Sequence, residues 1–425
     1  MFWKSSKDTV NGKTLFTSSV SAVAISLLLV GCSGGGTTDE QAASADIQGE
    51  CGTVPTVEPN DPNGLLTDES PELQEIFNGF PEEISSSHWA DAEALNNGDP
   101  VTIGYLQLDS GSTYANAFAE QINVSFDEAK SAGEASELIV KNPGGTGGEV
   151  TAADQLRSYN ELIQEGADII IAQPVSGDSF VEAVESAGEQ GIPTVTWTGF
   201  IPSEYAVDVA PNVFNAVAAP VSEGLEMIDG EGSAVIVQGI EGMSINTVSV
   251  EAAEEVIALC PDVEIVGKPT GDFSEAAARS ALTTFLATHP QEIDLVYQVA
   301  SMGSGVYGAF DSAGRESMPV VVDHLASAAS LAWWQELQDE GYEGVATGGN
   351  GEMGAQAVFE VTMRMANGEG PKFNHVVTND ILINNDNISE FAVPDASTTS
   401  SDEIQSAGEL LPKEQTDEQF NSPTE

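Results

Sequence analysis

From Val101 onward, short apolar runs alternate with stretches whose apolar residues recur every three or four positions. That is the pattern of buried strands joined by amphipathic helices. "VTIGYLQL" (101–108) predicts a first strand, followed by a helix over Ala115–Ala132 and a strand at "ELIV" (137–140). The next helix has both ends marked. Thr151 stands at the cap and Asp154 at the capping-box offset, Ala152, Leu156, Tyr159, Leu162 and Ile163 share a face, and Gly166 stops it. "ADIIIAQPV" (167–175) is apolar without alternation, as expected of a strand covered on both faces. Asp178 is read as the cap of a helix ending at Gly191, and "IPTVTW" (192–197) as a further strand. The pattern then restarts, with helices over Val213–Met227, Ile245–Leu259 and Ser274–Thr288 and strands at 233–239, 263–267 and 294–299. A strand at "PVVVD" (319–323) and helices over Ser327–Asp339 and Glu352–Ala366 follow. One sheet holding all these strands would be unusually large, so the expectation is an α/β protein of two doubly wound parallel-sheet lobes.

The segment ahead of this body differs. Lys4, Lys7 and Lys13 precede an apolar run too short to cross a bilayer of roughly 30 Å. Residues 1–31 therefore read as an export signal. "LVGC" (29–32) resembles the bacterial lipobox, which implies that Cys32 is lipidated and becomes the new N-terminus, held at a membrane by acyl chains. Residues 32–98, rich in Pro, Gly, Asp, Glu and Ser, read as a tether and surface extension with a short helix near Pro71–Phe77. Residues 394–425 are polar and acidic and read as a loosely ordered tail.

Charge changes the picture further. There are 68 acidic against 12 basic residues, a net charge of -56. Self-repulsion of that size suits a saline habitat, where it is screened, or serves solubility. Nucleic acid is excluded as a partner, for no Lys/Arg cluster exists to neutralise phosphates. Beyond Cys32 the chain has Cys51 and Cys260, expected to be bridged outside the cytoplasm, with two buried free thiols as the alternative. His88, His289, His324 and His375 show no metal-ligand spacing, so neither a metal nor a cofactor is expected.

In open parallel sheets a ligand binds beyond the carboxyl ends of the strands. That rule selects Asp109, Ser112 and Tyr114 after the first strand, Trp197 and Thr198 after "IPTVT", and Asn246 and Thr247 after "SAVIVQG". It also selects Phe273, Ser304, Asp323 and His324 in the second half. Six of them have a plainer reading: Tyr114 and Phe273 as core aromatics, Trp197 as lobe packing, Asp323, Asn246 and Thr247 as helix-start residues.

"IGYLQLDSGSTYANAF", "ADIIIAQPVSGDSFVEAV", "GIPTVTWTGF", "GEGSAVIVQGIEGMS", "GDFSEAAARSALTTFLATHPQEIDLVY" and "PVVVDHL" stand in order, and together they resemble the ribose-type (type I) periplasmic sugar-binding proteins of ABC importers. The resemblance covers roughly residues 100–385. It implies two lobes joined by three crossovers near Asn212, Gly348 and Val376, hence lobe 1 as 99–211 plus 349–375 and lobe 2 as 212–348 plus 376–393. It implies ring stacking at Tyr114 and Phe273 and a hydrogen-bond acceptor at Asp323.

Thr198-Gly199 stand where ribose receptors carry Asp-Arg, Thr247 replaces an arginine, and Gly348 stands where a glutamine is common, with Asn350 near enough to substitute. These departures argue against ribose itself. Of the twelve Lys and Arg, three lie in residues 1–31, and none lies in the predicted crevice loops. A buried anion without a cation is strongly penalised, so the expected ligand is a neutral sugar or polyol, with a nucleoside as the alternative. The expected partners are ABC permease subunits, or a receptor kinase if the protein is a sensor, and the expected state is a monomer. No catalytic constellation or phosphate loop is present, since Gly144–Gly148 lack the lysine and Ser/Thr that such a loop needs, so the chain is not read as an enzyme.

Overall fold

The computed structural model describes residues 48–108, 113–144, 150–315, 317–338 and 340–421. Cys32, Asp109 and Ser112 lie outside the described residues. The N-terminal extension carries α1 (Pro71–Ile76), whose start is fixed by the Ser70 hydroxyl accepting from Leu73 N. The first lobe follows as β1 (Val101–Leu106), α2 (Thr113–Ala132), β2 (Ala135–Lys141), α3 (Ala152–Gln164), β3 (Ile169–Ala172), α4 (Val181–Gly188), β4 (Thr194–Trp197) and β5 (Ala206–Pro211). The second is α5 (Val213–Met227), β6 (Glu231–Val237), α6 (Ser244–Ile257), β7 (Asp262–Gly267), α7 (Glu275–Thr288), β8 (Leu295–Gln298), α8 (Gly303–Ala313), β9 (Val320–Asp323), α9 (Ala328–Gln338) and β10 (Val345–Gly348). Then come α10 (Gly351–Ala366), β11 (Gly370–Pro371), β12 (His375–Thr378), β13 (Ile381–Ile383), α11 (Ile388–Phe391), α12 (Lys413–Gln419) and β14 (Phe420–Asn421).

One sheet runs β12-β5-β4-β3-β1-β2 and the other β13-β10-β9-β8-β6-β7. Every pairing in them is parallel except β10 with β13. Each sheet therefore has a switch point beside its first strand, β1 or β6, where the loops after neighbouring strands part and leave a crevice. The two-lobe α/β architecture expected from the pattern is the one observed.

The chain passes between the sheets after β5, after β10, and between β12 and β13. Strand pairing puts the third passage at Asn379–Asp380 rather than at Val376, because His375–Thr378 continue the first sheet in register with Asp208–Pro211. Asn212 sits at the first passage. Its Oδ1 accepts from Phe214 N and Asn215 N to cap α5, while its Nδ2 donates to the carbonyls of Ile76 and Asn78.

Other differences have local causes. The Thr151 cap is as read, accepting from Asp154 N at 3.2 Å. Asp178 caps nothing: a 3-10 turn over Gly177–Phe180 precedes α4, whose N-cap is Phe180. Helix α8 was hidden by its glycines, which close approach requires. A Cβ on Gly303 would sit 2.2 Å from Asp323 Oδ1, and one on Gly305 would sit 2.2 Å from the Glu275 carbonyl oxygen. Strand β5 was hidden by Asp208, a buried carboxylate between Val207 and Val209.

Both flanking segments are built into the body. Cys51 is disulfide-bonded to Cys260, just past α6, across 209 residues of sequence. Leu66, Leu73, Phe77, Phe80 and Ile84 form a separate small core with Phe373 and Val377. Trp89 then enters the first lobe's core, its indole donating to the Tyr205 carbonyl at 2.9 Å. The tail expected to be loose is anchored from Ile404 onward, since Ile404 joins the second lobe's core and Leu411 and Phe420 the first lobe's. Each large apolar side chain so buried contributes roughly 1.5–3 kcal/mol. Gln419 completes the attachment: its Oε1 accepts from Val377 N at 2.7 Å and its Nε2 donates to Val377 O at 2.9 Å.

Candidate functional site

The loops beyond the strands' carboxyl ends carry most of the strained backbone. Of the ten described non-glycine residues with left-handed φ, six stand there: Thr198, Asp272, Phe273, Ala300, Ser301 and Leu325. Such conformations persist where the surroundings enforce them, and they gather at ligand sites. Exposed large apolar groups collect at the same ends, namely Tyr114 and Val175 on the first lobe and Ile240, Met243 and Leu325 on the second.

On the first lobe, Tyr114 opens α2 and keeps part of its ring exposed. Its hydroxyl accepts the Trp197 indole N–H at 2.8 Å. Trp197 itself is buried, packed so close to α10 that a Cβ on Gly354 would lie 2.6 Å from the indole. It acts as the post that holds Tyr114. Burial raises the Tyr114 hydroxyl's pKa, so it stays neutral. Thr198 is exposed and left-handed, its N–H donating to Val209 O.

On the second lobe the chemistry gathers around Gln298, which the pattern of β8 did not single out. Its Nε2 donates to Asp323 Oδ1 at 2.6 Å and to the His324 carbonyl at 2.8 Å, while its Oε1 accepts from Met302 N at 2.8 Å. One buried amide thus ties the loop after β9 to the first turn of α8, where Ser304 is also buried. A buried glutamine at a strand's end was the signal available in the sequence. Asp323 Oδ2 is buried without a hydrogen-bond partner of its own. Burial pushes the carboxyl up to about 6, against the influence of Ser330 and Gln298. His324 is buried with Nδ1 3.3 Å from the Tyr297 hydroxyl, and desolvation pushes it down to about 4, leaving a neutral imidazole at pH 7.

Phe273 and Asn246 meet at Gly239. Asn246 Oδ1 accepts from Gly239 N at 2.7 Å, and the half-buried Phe273 ring lies where a Gly239 side chain would be. Thr247 is exposed, and its hydroxyl donates back to the Met243 carbonyl. Asn350, suggested as a substitute polar group, is buried and committed to structural bonds. Its Oδ1 caps α10 at Met353 N and its Nδ2 donates to Ile404 O and Ser406 Oγ.

The structure therefore joins Tyr114 with Trp197, Asp323 with His324 through Gln298, and Phe273 with Asn246 at Gly239, leaves Ser304 buried in α8, and turns Asn350 and Thr247 to structural bonds. Lys268, just past the end of β7, has its ammonium paired with Glu254 of α6 at 2.5 Å, and Lys141, the last residue of β2, pairs with Glu165 at 2.7 Å. No group of His, Cys, Asp and Glu that could hold a metal ion is found among the described residues.

A sequence model of the periplasmic binding protein domain matches residues 110–370, more than half of the chain. The chain belongs to the periplasmic binding protein family. This family is one of binding proteins rather than enzymes, and the chain falls in its ribose-type, type I branch. The xylitol-binding protein of Mycolicibacterium smegmatis is 27% identical over 231 residues, 52% of this chain and 66% of that protein. The ribose import binding protein RbsB of Escherichia coli is 26% identical over 175 residues, 40% of this chain and 57% of its own. The chain thus matches somewhat less than two thirds of the length of these curated relatives. Two solved periplasmic binding proteins share the fold. One from Bacillus halodurans C-125, with bound myo-inositol, gives a TM-score of 0.54 at 19% identity over 69% of this chain and 98% of that one. One from Burkholderia graminis C4D1M, with D-arabinose, gives 0.54 at 17% identity over 70% and 100%.

Proposed function

We propose that this protein is an extracytoplasmic solute receptor that closes two lobes on a small neutral sugar or polyol and presents it to the permease of an ABC importer. In this reading it works as a monomer, and acyl chains on Cys32 hold it at the membrane. One observation carries the choice of ligand. The crevice offers an exposed aromatic ring on one wall, Tyr114, and a ring and a buried carboxylate on the other, Phe273 and Asp323, while the strand-end cations Lys141 and Lys268 are each paired with a glutamate. Ring faces take the C–H surface of a sugar and acceptors take its hydroxyls, whereas a buried anion would find no partner. Closure requires the ligand to favour the closed form, and a wall that must pair several hydroxyls rejects analogues lacking one.

The test is titration calorimetry of the protein with xylitol, ribose, arabinose and myo-inositol beside gluconate and ribose 5-phosphate. The expected result is saturable heat with a neutral member and none with the acids. Binding of an acid in preference, or of no neutral member, overturns the reading.

A further inference from the structure

The C-terminal segment 402–406 does more than seal the surface. The Asp402 carbonyl accepts from Ala328 N at 3.2 Å, at the end of the loop that carries Asp323 and His324. Ile404 is buried in the second lobe's core, and its carbonyl takes the Asn350 amide at 3.0 Å. Between them Glu403 turns to the other wall, where its Oε2 accepts from Gly351 N at 3.2 Å in the first turn of α10. Gly351 in turn abuts Tyr114, for a Cβ there would lie 2.2 Å from the Tyr114 carbonyl oxygen. The segment thus bridges both walls where the chain crosses between lobes. The anchors on either side of Glu403 fix where its carboxylate stands. Oε1 accepts no hydrogen bond from any described residue.

We propose that Glu403 is a specificity-determining residue that touches the bound solute, its free oxygen accepting a ligand hydroxyl beside the Tyr114 ring. This rests on the solute-receptor reading above and adds to it a residue from the C-terminal segment, far outside the stretch that matches the family. The chemistry suits the site. A carboxylate accepts a hydroxyl hydrogen more strongly than a neutral group does, and its charge repels anionic solutes from the wall that already lacks a cation. The Glu403 charge acts on the Tyr114 hydroxyl, which places the two side chains in one electrostatic neighbourhood.

The experiment compares the full protein with Glu403→Gln and Glu403→Ala, titrated with the same four neutral probes and with their singly deoxygenated analogues. Loss of a hydrogen bond to a charged group costs about tenfold or more in affinity, so Glu403→Ala is expected to weaken the tightest probe by about that factor. Glu403→Gln keeps an acceptor for Gly351 N, so its ligand-free unfolding midpoint is expected to match wild type while affinity still falls. For one deoxy analogue, wild type and Glu403→Ala are expected to bind equally. If wild type binds a probe and Glu403→Ala binds it as tightly, this inference fails and the receptor reading stands. Equal losses for every deoxy analogue also overturn it, since Glu403 would then act only through the architecture. If wild type binds no probe, the receptor reading fails and takes this one with it.

Discussion

The Trp197 indole donates to the Tyr114 hydroxyl at 2.8 Å, and this bond sets the pose of an aromatic ring that the first lobe leaves exposed at its strand ends. Tyr114→Phe leaves a buried N–H unpaired, at a cost of about 1–3 kcal/mol in denaturant unfolding, yet keeps the ring face. Tyr114→Ala removes the face as well. Calorimetry is expected to show at least about tenfold weaker binding for Tyr114→Ala, and a smaller loss for Tyr114→Phe. Equal losses in the two variants would mean that the hydroxyl, rather than the ring, meets the solute.

Gly303 and Gly308 lie in the same helix but face different neighbours. A methyl at Gly303 would strike the Asp323 carboxylate, whereas at Gly308 the nearest atoms, at 3.2 Å, belong to the Arg279 side chain, which can move. Gly303→Ala is therefore expected to destabilise by about 1–3 kcal/mol and to weaken ligand binding by displacing Asp323. Gly308→Ala is expected to be neutral or to stabilise by up to about 1 kcal/mol through helix propensity. Chemical denaturation of the two variants checks the contrast.

Asp208 is buried in β5, its Oδ1 accepting from Thr196 Oγ1 at 2.6 Å and Gly199 N at 3.0 Å, and burial pushes its pKa up to about 6. The folded form therefore holds its proton more tightly than the unfolded chain does. The stability this group contributes is complete below about pH 4 and is lost as pH rises through about 6, on the order of 3 kcal/mol for a shift of this size. Asp208→Asn keeps both acceptor bonds without the charge. It is expected to raise stability at pH 7.5 and to leave it unchanged at pH 3.5, as read from denaturation midpoints.

His324 works in the opposite sense. Its pKa is depressed to about 4, so its contribution is present above the unfolded value near 6.5 and is lost as pH falls toward 4. His324→Gln is expected to flatten the acid limb of the stability profile in that window. An unchanged limb would show that the imidazole is not desolvated in solution.

Reduction of the Cys51–Cys260 bridge frees a long loop in the unfolded chain, and about 2–4 kcal/mol of stability is expected to go with it. A Cys51→Ser variant is expected to show the same lowered midpoint with no reductant present.

Much of this architecture was legible because parallel sheets covered on both faces leave continuous apolar runs, as at Ile169–Ala172 and Val320–Asp323. The same reading failed where tertiary contact overrides local preference. The glycines of α8 are explained only by Asp323 and Glu275 from distant loops, and β5 only by the partners of Asp208. Strand-end logic found Tyr114, Phe273 and Asp323, but not Gln298, whose role depends on its own loop meeting the loop after β9 in the fold. Glu403 was unreadable for a related reason. It sits in a stretch of acidic composition, and the few apolar anchors that hold it, Ile404 and Leu411, are too sparse to form a periodic signal.

Strand β12 is the outermost of its sheet, and an outermost strand ordinarily offers bare amides and carbonyls to any passing chain. At Val377 the Gln419 carboxamide fills that role, presenting one acceptor and one donor as a neighbouring peptide unit would. Proteolytic loss of the last helix would therefore uncover an adhesive margin as well as shorten the protein, and the clipped molecules would be prone to join edge to edge.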